Sequence, residues 1–386
     1  MTAASSIPSG AADGATPALD TLDQLAGLAA GSPAHAARHQ RAKVAAATEA
    51  CQQLFFGPGA AAGSGPTPAE RLLVASDSAE RLGLPRAAAH NLALYAAQEP
   101  VAEGPRRSAI LGFARALADA PARADRSALA PLQDAAGLTV PDAVLLAQLI
   151  GYLACQLRTA AAWQALGAAG PGRAAPAAAE PEAPFVHPAH LPPPGQVLER
   201  NGFTNATLGW TAWLPVVDPA TATPEQLAVL DASHPKARTS DFYLLLAHQP
   251  AVLAQRSQAF NAIMYAPGGL PRAERALVGT AVSVVNRCVF CAAVHAQRYE
   301  QLTGRNAVIA QLFDDVDTAG TDARERAIVQ AAAALTRAPS AFGADAIHAL
   351  RHAGLGDLEA LDALHAAALF AWANRLILNL GEPHGV

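Results

Sequence analysis

Charged side chains make up only 15% of this 386-residue chain and aromatic ones only 5%, against 52% hydrophobic residues. Alanine and leucine dominate the hydrophobic share, a composition that favours packed helices over pleated strands. An all-α protein is expected. Basic residues are not in excess: with a formal net charge of −5 and Lys+Arg spread thinly, no basic face is available to neutralise phosphates. Nucleic acid is therefore not an expected partner. Long hydrophobic runs are missing as well. The most apolar stretches, "ALVGTAVSVV" (276–285) and "AVLLAQLIGYLAC" (143–155), fall short of the roughly 18 to 20 residues that cross a bilayer, so they read as buried helices and no membrane partner is expected. The first twenty residues lack a basic segment followed by an apolar one, so no signal peptide is expected and the protein is placed in the cytoplasm. Cysteine is scarce. Four in a chain of this length, in a reducing compartment, do not make a disulfide framework, and a close pair then points to catalysis or metal binding.

What is present is a repeat. The chain is too long for one ordinary core, and "PAERLLV" (68–74) is matched by "RAERALV" (272–278), with Glu70 and Glu274 separated by 204 residues. At that offset Leu84, Ala87, Asn91 and Tyr95 fall on Cys288, Cys291, His295 and Tyr299. Further on, "SAILGFARALADAP" (108–121) matches "RAIVQAAAALTRAP" (326–339), and both copies run through a long apolar helix to an arginine, Arg158 and Arg375. Those arginines are 217 residues apart, so about 13 residues are inserted within the second copy, the loop drift expected of a duplicated helical domain. The composition divides the chain into a disordered segment (1–35), a first helical domain (36–166), a Pro/Ala-rich linker (167–195), and a second domain with a lead-in (196–386). A further flexible stretch is expected at 56–68. Trp210 and Trp213 in the lead-in read as packing anchors.

The chemistry concentrates in "NRCVFCAAVH" (286–295). Pro271 suits the opening of a helix, Asn286 and Arg287 mark a break, and a new helix starting near Cys288 puts both thiols on its first turn. There the unpaired amides and the helix dipole favour a thiolate. Cys288, Cys291 and His295 share one helix face, a spacing that allows a disulfide and allows His295 to take a proton from Cys291. Zinc is disfavoured, because three donors on one turn make a cramped tetrahedron and no second cluster supplies a fourth ligand. Neither a metal nor a cofactor is expected. Cys51 and Cys155 have no thiol or histidine nearby in sequence and read as small buried hydrophobes. The remaining histidines, among them His187, His190, His234 and His365, read as solvated or satisfied in the core.

The stretch "ERALVGTAVSVVNRCVFCAAVHAQRY" resembles the signature of the AhpD-like alkylhydroperoxidase and carboxymuconolactone decarboxylase superfamily, and residues 67–166 resemble the same domain in degenerate form. The resemblance implies a duplicated all-helical fold, assembly into a homo-oligomer (dimer or trimer), and peroxide reduction by the thiol pair. Cys291 would be the peroxidatic sulfur, Cys288 the resolving one, His295 the proton acceptor, and an external dithiol or lipoyl-type reductant would restore the pair. In the family pattern an acid lies twelve positions before the first cysteine; here that position is Ala276, and Glu274 is the nearest acid. Glu274 lies about 200° away round a helix, so it reaches the site only if the helix start is distorted. Two other readings are a lactone decarboxylase, which needs no thiol pair, and a redox-sensing scaffold whose disulfide changes an interface.

Overall fold

The computed structural model describes residues 16–58, 65–123, 125–172 and 184–385. Residues 1–15 of the expected disordered segment, 59–64 of the second flexible stretch and 173–183 of the linker lie outside the described residues.

The first half of the chain is helical: α1 (Thr21–Ala26), α2 (Pro33–His39), α3 (Ala42–Phe56), α4 (Pro68–Arg81), α5 (Pro85–Ala96), α6 (Pro105–Asp119), α7 (Ala130–Asp134) and α8 (Val140–Ala168). The lead-in holds three short strands, β1 (Glu199–Arg200), β2 (Phe203–Thr204) and β3 (Leu208–Ala212), then α9 (Pro224–Ser233) and α10 (Asp241–Leu246). The rest is α11 (Pro250–Met264), α12 (Arg272–Val285), α13 (Val289–Thr303), α14 (Ala307–Asp314), α15 (Ala323–Arg337), α16 (Ala344–His352), α17 (Asp357–Leu380) and a closing strand β4 (Gly381–Gly385). The fold is all-α. Its only sheets among the described residues are the hairpin β1–β2 and the antiparallel pair β3–β4, which staples the lead-in to the chain end with Trp210 opposite Pro383. Trp210 also donates its indole N–H to the carbonyl of Ile377 (3.0 Å), so it is a packing anchor.

The segment expected to be disordered up to residue 35 is structured in its described part. Asp20 caps α1 through a reciprocal capping box and Ser32 caps α2. Leu22, Leu25 and Ala34 are buried, and Arg38 and His39 both reach the buried carboxylate of Asp23. Alanine-rich composition masked these few large apolar anchors.

Two helices dominate the packing. α8, opened by a Thr139 capping box, runs for 29 residues and is apolar on every side, as a helix wrapped by others must be. It is long and apolar enough to cross a bilayer, contrary to the sequence expectation, but 78% of its most apolar window is buried inside the molecule. α17 is its counterpart, and the two pack directly on each other. Neither half of the chain has a core to itself. One cluster joins Leu157–Leu166 of α8 to α12, α15 and the start of α17; the other joins Ala143–Cys155 of α8 to α3, α6, α11 and the end of α17. The contacts across this centre are reciprocal. Arg158 donates to the carbonyl of Thr336 (3.0 Å) and Arg375 to that of Ala118 (2.9 Å), each arginine closing the end of a helix in the opposite half. Both arginines are packing residues, which accounts for their recurrence.

Candidate active site

α12 ends at Val285 and α13 begins at Val289, so the break falls where Asn286 and Arg287 placed it. The turn is a Schellman closure: the amide of Cys288 bonds the carbonyl of Ser283 (2.8 Å), that of Arg287 bonds Val284 (3.1 Å), and Arg287 is left-handed at φ 59°. Cys288 thus ends one helix and serves as N-cap residue of the next, with Cys291 in the first turn of α13.

The two thiols are free and buried, but not equivalent. Cys291 lines a cavity of about 300 Å³ with Phe290, Phe242, Phe260, Arg256 and His295, whereas Cys288 does not. Cys288 lies behind, fully buried and in contact with the Cys291 thiol. Burial pushes the Cys288 thiol well above its ordinary range, and the neighbouring thiol pushes it further; the Asn374 side chain and the Cys291 amide pull it back. Asn374 is itself held in place. It accepts from Asn286 Nδ2 (3.0 Å) and donates to Ser283 Oγ (3.0 Å), forming a small buried polar cluster beneath Cys288.

His295 stands one turn beyond Cys291, edge-on to Phe370 (4.4 Å between centroids). Its Nδ1 is buried with no hydrogen-bond partner. Burial, then the nearby Arg298 charge, pulls its pKa down to about 3, so at neutral pH it is a neutral imidazole.

Glu274 is not part of this group. Both its oxygens are held by Arg324 (2.7 and 2.8 Å), which also reaches Glu359 (2.5 Å). The first half builds the same pair from the matched residues, Glu70 with Arg106 at 2.6 and 3.0 Å, although that half carries no thiols to serve. The pair closes the start of a helix in both halves; among the described hydrogen bonds none joins Glu274 to His295. Ala276 is wholly buried and apolar, so no acid stands at that position.

The residue that sequence reasoning missed is Arg256 on α11. It is 4% exposed and makes no hydrogen bond or ion pair among the described residues, with its guanidinium over the faces of Phe242 (5.3 Å) and Trp372 (5.8 Å). Burial pulls its pKa below the ordinary value, and the groups close enough to raise it are Tyr243 and three thiols, Cys291, Cys51 and Cys155. All four cysteines therefore lie in one core, three of them within electrostatic reach of one unpaired cation. For Cys51 and Cys155 the apolar reading holds: burial raises both, Cys155 to about 12.

Of the described groups that could hold a metal ion, Asp23, His35 and His39 lie together, far along the chain from the thiols. Their bonding suits an ion pair better. His35 Nδ1 accepts from the amide of Gly31 (3.3 Å), which leaves the proton on Nε2, and Arg38 occupies Asp23 (2.8 Å).

Residues 250–334, from α11 to within α15, match the model of the Carboxymuconolactone decarboxylase family. This stretch belongs to that family. No functionally curated protein matches the chain in sequence. Among solved structures, the chain is similar to the alkylhydroperoxidase AhpD core of an uncharacterized peroxidase-related protein from Ralstonia eutropha JMP134, with 25% identity, 42% of this chain and 86% of that one covered, and a TM-score of 0.37. An uncharacterized peroxidase-related protein from Silicibacter sp. TM1040 is similar at 23% identity, covering 44% and 90%, with a TM-score of 0.38. Within the family domain lie Cys288, Cys291, His295 and Arg256.

Proposed function

We propose that this chain is a thiol peroxidase in which Cys291 reduces a hydroperoxide and Cys288 resolves the product. The observation that carries the reading is the asymmetry of the pair: Cys291 faces an apolar cavity beside His295 and the unpaired Arg256, while Cys288 waits behind it in thiol contact. Neutral His295 accepts a hydrogen bond from the Cys291 thiol without keeping its proton, which the leaving oxygen takes up, and the thiolate forms opposite Arg256 at the start of α13. Its sulfur attacks the near oxygen of the O–O bond. A sulfur–oxygen bond forms, the O–O bond breaks, and the alkoxide leaves with the proton as an alcohol, two electrons having passed from sulfur to peroxide. The protonated Cys288 thiol then condenses with the sulfenic acid, releasing water and closing a disulfide. An external dithiol returns two electrons and two protons. Activation here rests on Arg256 and the helix start in place of an acid–histidine relay, and the first half acts as a non-catalytic partner that completes the core.

The test is titration of the reduced protein with cumene hydroperoxide, followed by peptide mass spectrometry of residues 286–300. The expected products are a Cys288–Cys291 disulfide in the wild type and a trapped Cys291 sulfenic acid in Cys288→Ser; thiols still reduced after stoichiometric peroxide would end this reading. The family's description names a lactone decarboxylase, and activity on a small lactone that survives Cys288→Ser with Cys291→Ser would favour that chemistry instead.

A further inference from the structure

The Cys291 cavity opens onto a second, larger one. The two share His234, Tyr243, Phe260, Val294 and His295 as wall, and the outer chamber has a volume of about 500 Å³. Phe185, His187 and Tyr265 complete its aromatic lining, so His187 and His234, read from sequence as solvated or satisfied, are in fact pocket residues with rings 4.8 Å apart.

Among the described residues no carboxylate lines this chamber, although the chain as a whole is acidic. Its charged residues are Arg272 and Arg298. Arg272 is positioned by the Phe185 ring (5.3 Å) and the Tyr265 carbonyl (3.4 Å). Arg298 makes no hydrogen bond or ion pair among the described residues, and its Nη1 is buried without an acceptor. Tyr265, His187 and His295 all feel its charge, which places the guanidinium among the pocket groups. Burial pulls His187, His234 and His295 down, so at neutral pH the arginines are the cations of the chamber. A half-buried arginine whose Nη1 is buried without an acceptor has donors left to satisfy, and its fork is suited to a carboxylate.

Helix α13 sets the spacing. Cys291, His295, Arg298 and Leu302 recur along one face of it, and seven residues at about 1.5 Å each put the backbone positions of Cys291 and Arg298 about 10 Å apart along the axis. We infer that the outer chamber holds the carboxylate of an apolar hydroperoxide, an oxidised fatty acid by chemical class, with Arg298 as anchor and the peroxide group reaching Cys291. This inference rests on the peroxidase reading and adds its substrate class. The redox step is unchanged: Cys291 sulfur gives two electrons, the O–O bond breaks, the substrate leaves as a hydroxy acid, and Arg298 takes no part in electron flow.

The experiment compares the rate of Cys291 oxidation by linoleic acid hydroperoxide with that by its methyl ester, with cumene hydroperoxide as a neutral control. In the wild type the acid should react about tenfold faster than the ester or more. The acid-to-ester ratio should fall close to unity in Arg298→Gln and recover in part in Arg298→Lys. Equal rates for acid and ester in the wild type, with cumene hydroperoxide active, would overturn the anchor and leave the peroxidase standing. If no hydroperoxide oxidises the thiols, the peroxidase reading fails, and calorimetry with unoxidised linoleate decides the anchor alone: binding weakened about tenfold by Arg298→Gln supports it, and no binding by the wild type overturns it. Should the variants fail to fold, the wild-type acid-to-ester ratio still decides the question.

Discussion

Between α4 and α5 the chain turns through Leu82, Gly83 and Leu84; between α12 and α13 it turns through Asn286, Arg287 and Cys288, in the same backbone. The amide of Leu84 bonds Ala79 (3.0 Å) as that of Cys288 bonds Ser283 (2.8 Å), and Gly83 (φ 67°) is left-handed as Arg287 is. The matched side chains differ in kind. Ala79, Leu82, Leu84 and Leu157 of the first half stand where the second has Ser283, Asn286, Cys288 and Asn374, and Ala87 and Asn91 stand where it has Cys291 and His295. The shared parts are structural, including the Glu70–Arg106 and Glu274–Arg324 pairs. The unshared parts are those that surround a sulfur. That difference separates what this helical frame needs in order to fold from what only the second half carries, and it assigns Glu274 to the first class.

Making the second half resemble the first, one residue at a time, breaks the comparison in a graded way. The largest stability change is expected from His295→Asn. Between its ordinary value of 6.5 and its native value of about 3, the unfolded chain binds a proton that the buried ring refuses. Stability is therefore lost as pH falls through that window, at about 1.4 kcal/mol per unit, or roughly 3 kcal/mol from pH 6 to pH 4. His365, also pulled down to about 3 by burial, acts in the same sense and remains in both proteins. Urea unfolding at pH 6, 5 and 4 should show the variant losing one proton's worth less stability; equal slopes would mean that the native ring is charged.

Arg256→Met comes next. Removing an unpaired buried cation should leave stability level or raise it, while slowing Cys291 oxidation by about tenfold to a hundredfold. Alkylation of Cys291 by iodoacetamide at neutral pH should slow with it; an unchanged alkylation rate would show that the cation does not act on the thiol. Asn374→Leu, the exchange that the first half already carries at Leu157, leaves Asn286 and Ser283 without their shared partner and should cost about 1–3 kcal/mol. Adding Ser283→Ala and Asn286→Leu should recover much of that loss, because the cluster acts as a unit. A triple variant as unstable as the sum of its parts would argue against a coupled cluster.

Much of this was legible in the sequence. Helical composition gave the fold class, and the 204-residue offset placed Leu84 and Cys288 at matching helix starts. The thiols and His295 could be read because three residues on one helix face fix their own geometry. Arg256 and Asn374 could not, since each reaches the site from a different helix, α11 or α17, and only packing brings them there. Asn374 did leave a trace: a polar residue inside an apolar helix, matched to a leucine in the other copy. The shared cores were illegible for a different reason. A helix apolar all round, such as α8, announces burial but not by which partner.

The smallest effect concerns the turn itself. A left-handed residue other than glycine costs about 1–2 kcal/mol, and Arg287 bears that cost immediately before Cys288, where Gly83 avoids it in the first half. Arg287 recovers part of it by lying over the Phe203 ring at 5.4 Å, worth about 0.5–1 kcal/mol at a partly exposed site. Arg287→Gly should therefore stabilise by no more than about 1 kcal/mol. The converse, Gly83→Ala, should destabilise by about 1–2 kcal/mol, since a left-handed alanine would also press against Ser340 at 3.2 Å. Thermal unfolding of the two variants measures both changes. If Arg287→Gly raised stability and left the Cys288–Cys291 closure rate unchanged, the strain would belong to the turn alone; a slower closure would mean that the arginine also holds Cys288 in place against Cys291.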